Sequence, residues 1–377
     1  MRHFEKPVLV TRPYLPPLDD FGKGVREIWE NQWLTNDGPM LGRFQTRLSE
    51  TLGIPENRLA LFVNGTLALE IVYQTLGLNV PGAEVITTPF TFVATSHAIR
   101  RVGATPVFAD VDPDTLCLTP EAAERCITDR TRAIVPVHVY GHPCDVEGFA
   151  KLAAKYDLRL IYDAAHAFGE TIDGRSIAEW GDASMFSFHA TKLFHSIEGG
   201  LVAFRKPEHK PAMEHLRNFA ITSETTCDDV GTNAKMNEFA ALMGLCCLDV
   251  LPDLLAHRKA IYDAYAEAFA ENPRVRLLPC PDICHGHHVA HNHAYCPILL
   301  PNFDTRERVY AGLKDANVYT RRYFYPLLTD FAPYRAHLGH TPIARDAADR
   351  VLTLPTYHTL SLVDARDIAR NVLELLT

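Results

Sequence analysis

The chain has 377 residues, of which 47% are apolar and 22% charged, proportions typical of a globular protein with a sizeable core. Its 46 acidic and 37 basic residues give a net charge of −9, which argues against nucleic acid or an anionic membrane as a partner. No apolar run approaches the roughly 18 residues of a spanning helix, and the first residues lack the apolar stretch of a signal peptide. The cysteines are scattered rather than arranged as a disulfide framework. We therefore expect a cytoplasmic protein with reduced thiols.

The first forty residues are rich in Pro, Asp, Asn and Gly, with one short amphipathic stretch at 25–29. We predict a surface arm and a substrate loop over 1–40. From about residue 41 to 250, short apolar or β-branched runs alternate with helical patterns. The predicted strands are 59–63, 84–88, 106–109, 133–139, 159–163, 183–188 and 201–204, and the predicted helices between them are 66–77, 91–102, 119–127 and 145–156. This alternation predicts βαβ units, and therefore an α/β domain with a mostly parallel sheet and helices on both faces.

The last third of the chain has a different pattern. A helical pattern at 234–249 is followed by a second at 254–271, by short strands, and by helices at 305–316 and 362–376. We therefore predict a smaller α+β domain over 251–377, after the large domain over 41–250.

Ligands of such sheets bind at the carboxyl ends of the strands, and this rule brings Gly65, Asp163 and Lys192, each at or after the end of a predicted strand, to one edge. Lys192 and Asp163 are what pyridoxal 5′-phosphate (PLP) requires, because the amine can form a Schiff base while the carboxylate keeps the pyridine nitrogen protonated. Gly65 and Thr66 open a helix, whose free N–H groups can bind a phosphate. The alternative for these two residues is an ordinary strand-to-helix turn with Thr66 as N-cap.

Five segments carry a family resemblance: 65–66, 88–95, 137–141, 163–166, and the run Ser-Phe-His-Ala-Thr-Lys at 187–192. At these positions the chain resembles the DegT/StrS sugar aminotransferases, PLP enzymes that aminate nucleotide-linked keto-sugars. The resemblance covers nearly the whole chain. It implies the aspartate-aminotransferase fold, with a seven-stranded, mostly parallel sheet.

The resemblance also implies roles for further residues. Ser187 would bind the cofactor phosphate, Phe92 would stack on its ring, and His166 would lie beside that ring. Asn233 would reach the phosphate of the neighbouring subunit, which implies a homodimer with shared active sites. From the residues alone, Phe92 could equally be a core side chain, His166 a structural histidine, and Asn233 the N-cap of the helix that follows.

A finer likeness at 34–39, 62–69 and 321–327 concerns the substrate. At these positions the chain is similar to family members that aminate a thymidine-linked sugar at C4. It implies conversion of dTDP-4-keto-6-deoxyglucose to dTDP-4-amino-4,6-dideoxyglucose, with glutamate as amino donor, in deoxyamino-sugar biosynthesis. The candidate substrate residues are Thr35, Asn36, Arg322, Tyr323 and Tyr325. A C3-keto sugar and a GDP- or UDP-linked sugar remain alternatives.

Two other functions share the resemblance. Sugar dehydratases of the family replace the lysine with histidine, so Lys192 argues against that activity. A non-catalytic sugar-nucleotide binder would be expected to lack Lys192 or Asp163, and both are present.

A group of possible zinc ligands lies near the end of the chain, and its members are Cys280, Cys284, His287, His288, His291 and His293. Only two residues separate Cys284 from His287, whereas a Cys₂His₂ site leaves about a dozen between its pairs. We therefore expect no metal there, and a polar loop that leads into a strand at 294–300.

Overall fold

The computed structural model describes residues 1–337 and 339–376. Its α-helices are α1 Leu18–Asn31, α2 Pro39–Leu52, α3 Gly65–Thr75, α4 Val93–Arg101, α5 Pro120–Glu124, α6 Val146–Tyr156, α7 His209–Arg217, α8 Glu238–Asp249, α9 Leu251–Phe269, α10 Phe303–Asp315, α11 Pro342–Arg350 and α12 Leu362–Glu374. Its strands are β1 Val8–Leu9, β2 Leu59–Phe62, β3 Glu84–Thr87, β4 Thr105–Phe108, β5 Thr131–Ile134, β6 Arg159–Asp163, β7 Thr171–Ile172, β8 Arg175–Ser176, β9 Ala183–Ser187, β10 Gly200–Phe204, β11 Ile221–Ser223, β12 Thr226–Cys227, β13 Arg276–Leu277, β14 Ile283–Cys284, β15 His287–Ala290, β16 Cys296–Leu299, β17 Val318–Tyr319 and β18 Val351–Leu354.

The central sheet has seven strands in the order β2-β10-β9-β6-β5-β3-β4. Strand β10 is antiparallel to both neighbours, and the other pairs are parallel. Along β2, Leu59 and Leu61 pack into one buried apolar cluster, and Ala60 and Phe62 pack into another. Successive side chains point to opposite faces of a strand, so both faces of the sheet are covered. The predicted α/β fold with a mostly parallel seven-stranded sheet is confirmed.

The first forty residues are more regular than predicted. The short stretch at 25–29 is part of α1, which has 14 residues, so the interpretation of this region as arm and loop is wrong for residues 18–31. Gly24 lies where α1 crosses α8, and a Cβ there would approach Cδ1 of Leu242 to 2.3 Å. The glycine that made the pattern look irregular therefore serves the packing of two helices. Helix α2, which was not predicted, begins with Pro39 at its first turn.

The C-terminal part contains a three-stranded sheet in the order β13-β16-β18. A separate apolar cluster there includes Ile261 of α9, Ile298 of β16 and Ile368 of α12. Phe4 and Val8 belong to the same cluster, and β1 pairs with β17, so the start of the chain packs against its C-terminal part. The domain division at residue 250 stays a prediction.

The segment predicted as a polar loop before 294 is in part a hairpin. Strands β14 and β15 join β7 and β8 in a four-stranded sheet, so that prediction is wrong for these residues. Within the ranges described, no single helix is long and apolar enough to cross a membrane. In the same described ranges, one pair of helices, α8 and α9, reaches that length and composition together, with a bend of 63° between them.

Candidate active site

One cavity of about 270 Å³ lies at the carboxyl edge of the central sheet. It is bordered by the segments that follow five strands of the same direction, β2, β3, β5, β6 and β9. All the predicted cofactor residues but one line it, namely Gly65, Thr66, Phe92, Asp163, His166, Ser187 and Lys192. Residues far apart in sequence meet here because parallel strands end at one edge.

The start of α3 forms one wall of the cavity. The side chain of Asn64 accepts a hydrogen bond of 2.9 Å from the N–H of Leu67, so Asn64 is the N-cap and the alternative role of Thr66 as N-cap is wrong. The first N–H groups of a helix have no intrahelical acceptor and can bind an anion. A Cβ at Gly65 would lie 2.9 Å from Sδ of Met185 and 3.3 Å from Cβ of Ser187. Glycine therefore lets the helix start lie close to Ser187, and the two together can hold a phosphate.

Asp163 forms the floor of the cavity and is only 4% exposed. Its Oδ2 accepts a hydrogen bond of 2.7 Å from the hydroxyl of Thr95, and its Oδ1 accepts one of 3.1 Å from the N–H of Ala165. Burial raises the pKa of this carboxyl, which the two hydrogen bonds and the charge of Lys192 oppose. None of the ion pairs found among the described residues involves Asp163. A cationic ligand in the cavity would therefore be stabilised beside it.

Lys192 is half-buried in the turn that follows β9. Its Nζ donates a hydrogen bond of 3.3 Å to the hydroxyl oxygen of Tyr295. The ring of Tyr295 lies 4.6 Å from that of His166, whose Nδ1 accepts a hydrogen bond of 3.0 Å from the N–H of Tyr140. Burial and the charge of Lys192 lower the pKa of His166 well below its usual range, so this ring is neutral at physiological pH.

Phe92 is 59% exposed, although it lies two residues after the fully buried Phe90. It is the residue that precedes α4, and its ring borders the cavity. The alternative role of Phe92 as a core side chain is therefore wrong. An exposed aromatic face at the cavity wall can pack against a planar ligand ring.

The predicted substrate residues are dispersed. Tyr323 lines the cavity. Arg322 forms an ion pair of 2.9 Å with Glu307, and Tyr325 lies 4.3 Å beneath the guanidinium of Arg306. Neither Arg322 nor Tyr325 borders the cavity, and their role in substrate binding stays a prediction.

Two substrate candidates near the N-terminus also lie outside the cavity wall. Thr35 and Asn36 are exposed, in the segment between α1 and α2. Asn233 is exposed as well, and its backbone pairs with that of Asn218. The N-cap of α8 is Asn237, so the alternative role of Asn233 as that cap is wrong, and the helix begins at Glu238 rather than at residue 234. A role of Asn233 in a partner subunit stays a prediction.

Sequence reasoning missed several residues that line the cavity, and also Thr95, which does not line it but donates a hydrogen bond to Asp163. Asn64 precedes the glycine of a strand-to-helix turn, and its preference for N-caps could have identified it. Thr95 lies one helical turn after Phe92 and so on the same face of α4 as the cavity, which is a weaker signal. Phe324 lies in the segment 321–327 that carries the finer likeness, although it was not named as a site residue. Tyr295 comes from a distant segment, and no local pattern indicates that it reaches this edge.

The cysteines and histidines considered as zinc ligands lie between β13 and β16. In the described part of the chain, no group of three or more His, Cys, Asp or Glu side chains is arranged to hold a metal ion. Nδ1 of His287 lies 2.7 Å from Oδ2 of Asp173, and Sγ of Cys280 lies 3.6 Å from Nε2 of His142. Burial raises the pKa of Cys280 and lowers that of His142 to about 4, so both groups are neutral.

Comparison with known proteins agrees with this geometry. The pattern of the DegT/DnrJ/EryC1/StrS aminotransferase family matches residues 19–373. A dTDP-4-amino-4,6-dideoxy-D-glucose transaminase of Shigella dysenteriae is 40% identical over 361 residues, which cover 95% of this chain and 96% of that protein. The crystal structure of DesI in the presence of its TDP-sugar product is 35% identical, covers 100% of this chain and 95% of that one, and superposes with a TM-score of 0.91. The PLP form of the putative sugar aminotransferase Spr1654 from Streptococcus pneumoniae is 25% identical, covers 98% of this chain and 100% of that one, and superposes with a TM-score of 0.88.

Pyridoxal 5′-phosphate fits the residues that line the cavity. The buried carboxylate of Asp163 lacks a cationic side-chain partner in the described ranges, and a protonated pyridine nitrogen would supply one. The start of α3 offers N–H groups to a phosphate, and Gly65 leaves room for Ser187 beside them. Lys192 brings a primary amine to the same cavity.

Proposed function

The chain belongs to the DegT/DnrJ/EryC1/StrS aminotransferase family, and from this membership we propose that it converts dTDP-4-keto-6-deoxy-D-glucose to dTDP-4-amino-4,6-dideoxy-D-glucose with glutamate as amino donor. The Shigella dysenteriae transaminase with 40% identity over nearly the full length supports this substrate. The observation that carries the aminotransferase activity is the presence of Lys192 and the buried Asp163 in one cavity.

When bound, PLP supplies a carbonyl carbon that takes up the amine and a ring that delocalises the electrons released at the reacting carbon. The N–H groups of Gly65 and Thr66, with the hydroxyl of Ser187, would hold its phosphate. Phe92 would cover one face of its ring and exclude water from it. Neutral His166 would pack near the ring without adding a competing positive charge.

Asp163 has an electrostatic role in this proposal. Its carboxylate lies in a buried environment, where an opposite charge interacts more strongly than in water. It would therefore keep a pyridine nitrogen protonated, and Thr95 and Ala165 would hold the carboxylate in place through their hydrogen bonds. Burial raises the pKa of this carboxyl in the free protein. Once the cation is bound, the same burial strengthens the attraction between the cation and the carboxylate.

Lys192 would carry the proton. Its neutral amine would take a proton from the carbon that bears nitrogen in the donor and return it at a second carbon, and the reverse order would serve the sugar. The donor would leave as a keto acid before the keto-sugar enters, so the kinetics would be ping-pong. Tyr323, which lines the cavity, would contact the sugar.

The proposal includes an assembly and a location. Asn233 is exposed on the surface of its own chain, which supports a role at the phosphate of a partner subunit in a homodimer. The nine cysteines are free, which supports a reducing, cytoplasmic location.

A panel of substrates tests the function. The protein would be incubated with glutamate and dTDP-, GDP- or UDP-linked 3-keto and 4-keto sugars, and products would be identified by mass spectrometry. We expect the mass change that marks amination to appear fastest with dTDP-4-keto-6-deoxyglucose. Preference for a GDP- or UDP-linked sugar, or for a 3-keto sugar, would contradict the proposed substrate. No amination of any sugar, with cofactor bound, would indicate a non-catalytic sugar-nucleotide binder instead.

A further inference from the structure

We propose that Tyr295 is a further catalytic residue, whose hydroxyl oxygen holds one N–H of the Lys192 amine and so orients the amine lone pair for proton transfer. The inference rests on the proposed aminotransferase function, since it concerns the group that moves the proton. Tyr295 lies far from Lys192 in sequence and enters the cavity just before β16.

The contact between the two side chains is specific. Nζ of Lys192 lies 3.3 Å from the hydroxyl oxygen of Tyr295, within hydrogen-bonding distance. The same nitrogen lies 6.0 Å from the centroid of the Tyr295 ring, so it approaches the oxygen rather than the ring face. Over the described residues, no other side-chain hydrogen bond or ion pair of this amine is found, although Thr191, Ser187 and Glu198 also line the cavity.

The chemistry of an amine gives this contact a consequence. The nitrogen of a neutral lysine amine has one bond to Cε, two N–H bonds and one lone pair. These four directions are fixed relative to one another. When one N–H points to the Tyr295 oxygen, the lone pair can occupy only the remaining directions around the Cε–Nζ bond. The lone pair takes a proton from carbon, the resulting ammonium returns that proton to a second carbon, and the tyrosine keeps its own proton throughout. Such orientation lowers the entropic part of the barrier.

The backbone of Ala294, the residue before Tyr295, is held by a buried amide. Asn292 is 1% exposed, and its Nδ2 donates hydrogen bonds of 2.8 Å to the carbonyl of His166 and 3.1 Å to that of Phe168. Its Oδ1 accepts a hydrogen bond of 2.9 Å from the N–H of Ala294. The same side chain therefore fixes the turn that carries His166 and the residue before Tyr295, which makes Asn292 a positioning residue.

The surroundings of this amide leave little freedom. Oε1 of the buried Glu170 accepts a hydrogen bond of 3.2 Å from the backbone N–H of Asn292. A Cβ at Gly141 would lie 2.6 Å from Oε1 of Glu170 and 3.0 Å from Oδ1 of Asn292. Gly141 has a φ of +97°, a conformation that favours glycine. Three chain segments thus converge on the amide that sets the position of Tyr295.

The Tyr295→Phe variant tests the proposal because it removes only the hydroxyl. In the holoenzyme, we expect the half-reaction with glutamate to slow by about tenfold to a hundredfold, with glutamate affinity unchanged. We also expect the isotope effect with α-deuterated glutamate to increase, because proton transfer becomes the slower step. The matched control is Tyr262→Phe, which removes a hydroxyl bonded to Leu278 and Cys280 away from the cavity.

A second readout does not depend on turnover. In full-length protein freed of cofactor, the rate at which an amine-specific reagent labels Lys192 at one fixed pH reports how firmly this amine is held. Loss of the Tyr295 contact should raise that rate by about threefold to tenfold, the cost of one hydrogen bond, and Tyr262→Phe should leave it unchanged. If the phenylalanine variant does not fold, Tyr295→Leu provides the same test.

An unchanged isotope effect and an unchanged labelling rate in folded Tyr295→Phe would overturn the proposal. Failure of the wild-type protein to take the amine from glutamate would instead contradict the proposed function, and the labelling result would still show whether the Tyr295 contact acts on Lys192.

Discussion

The hydroxyl of Thr95 donates a hydrogen bond of 2.7 Å to Oδ2 of Asp163 in the buried floor of the cavity. Thr95 lies on α4, and Asp163 ends β6. A neutral donor stabilises the charged carboxylate without cancelling its charge, which remains available to a cationic ligand. The relationship explains how an aspartate whose pKa is raised by burial can still serve as an anion.

Replacement of Thr95 by valine tests this relationship. Valine keeps the shape but removes the donor, so Asp163 loses part of the stabilisation of its charge. We expect PLP to bind about tenfold more weakly, the cost of one hydrogen bond to a charged group. Cofactor titration would measure this. Thr75→Val is the control, since the buried hydroxyl of Thr75 has no hydrogen-bond partner among the residues that the structure describes. Equal affinities in both variants would count against the role of Thr95.

Asp163→Asn tests the charge itself. Asparagine keeps the size of the side chain but cannot hold a pyridine nitrogen protonated by charge. We expect the transamination rate to fall by orders of magnitude while PLP remains bound, because the phosphate contacts at Gly65 and Ser187 are retained. Single-turnover absorbance measurements would give the rate. A rate close to that of wild type would mean that this carboxylate has only a structural role.

Glu170→Gln should change how stability depends on pH. Burial raises the pKa of Glu170 well above its usual range, and the pKa of the neighbouring His291 is lowered, so no positive histidine compensates at neutral pH. The folded state therefore keeps a proton that the unfolded chain releases above about pH 4.3. The stability that this group contributes is complete below that pH and is lost as pH rises toward the folded-state pKa.

We accordingly expect wild type to lose more stability than Glu170→Gln between about pH 5 and about pH 8, by up to about 1.4 kcal/mol per pH unit. Denaturant unfolding of both proteins at several pH values would show it. The two chains share every other titrating group, so parallel pH profiles would contradict a raised pKa at Glu170.

Mixing of subunits tests the proposed shared site. Lys192→Ala and Asn233→Ala chains would each be inactive or impaired alone. If Asn233 completes the site of its partner, a heterodimer has one site with both native residues and one with neither. We expect activity to return on subunit exchange, toward half of the wild-type value per heterodimer. No recovery after exchange has been verified by mass spectrometry would argue that each site is built by one chain.

The strands of the central sheet could be predicted because most are short apolar runs whose residues are buried on both faces. Helix α1 was underestimated because Gly22 and Gly24 weaken the helical pattern, while contacts with α8, far away in sequence, stabilise it. The helical structure of this segment therefore depends on tertiary packing, which local helix propensity does not reveal. The hairpin of β14 and β15 was missed for the same reason, since it is completed by β7.

Some residues of the cavity could be predicted from the sequence, and others could not. Gly65, Asp163 and Lys192 follow strands of one sheet, so the topology alone predicts that they meet. Whether Phe90 or Phe92 is buried depends on how the turn before α4 is oriented, and the sequence offers equal support for either. Tyr295 reaches Lys192 only through the packing of the C-terminal part onto the sheet edge, which no local pattern encodes.

The position of the transferred nitrogen in the product shows whether the protein aminates its sugar at C4. The protein would be incubated with dTDP-4-keto-6-deoxyglucose and ¹⁵N-labelled glutamate, with Lys192→Ala as the inactive control, and the product examined by NMR. We predict that ¹⁵N couples to the proton at C4 of the sugar and that the label is absent from the control reaction. Label at C3 would contradict amination at C4, and label in the product of the Lys192→Ala reaction would contradict the catalytic role of Lys192.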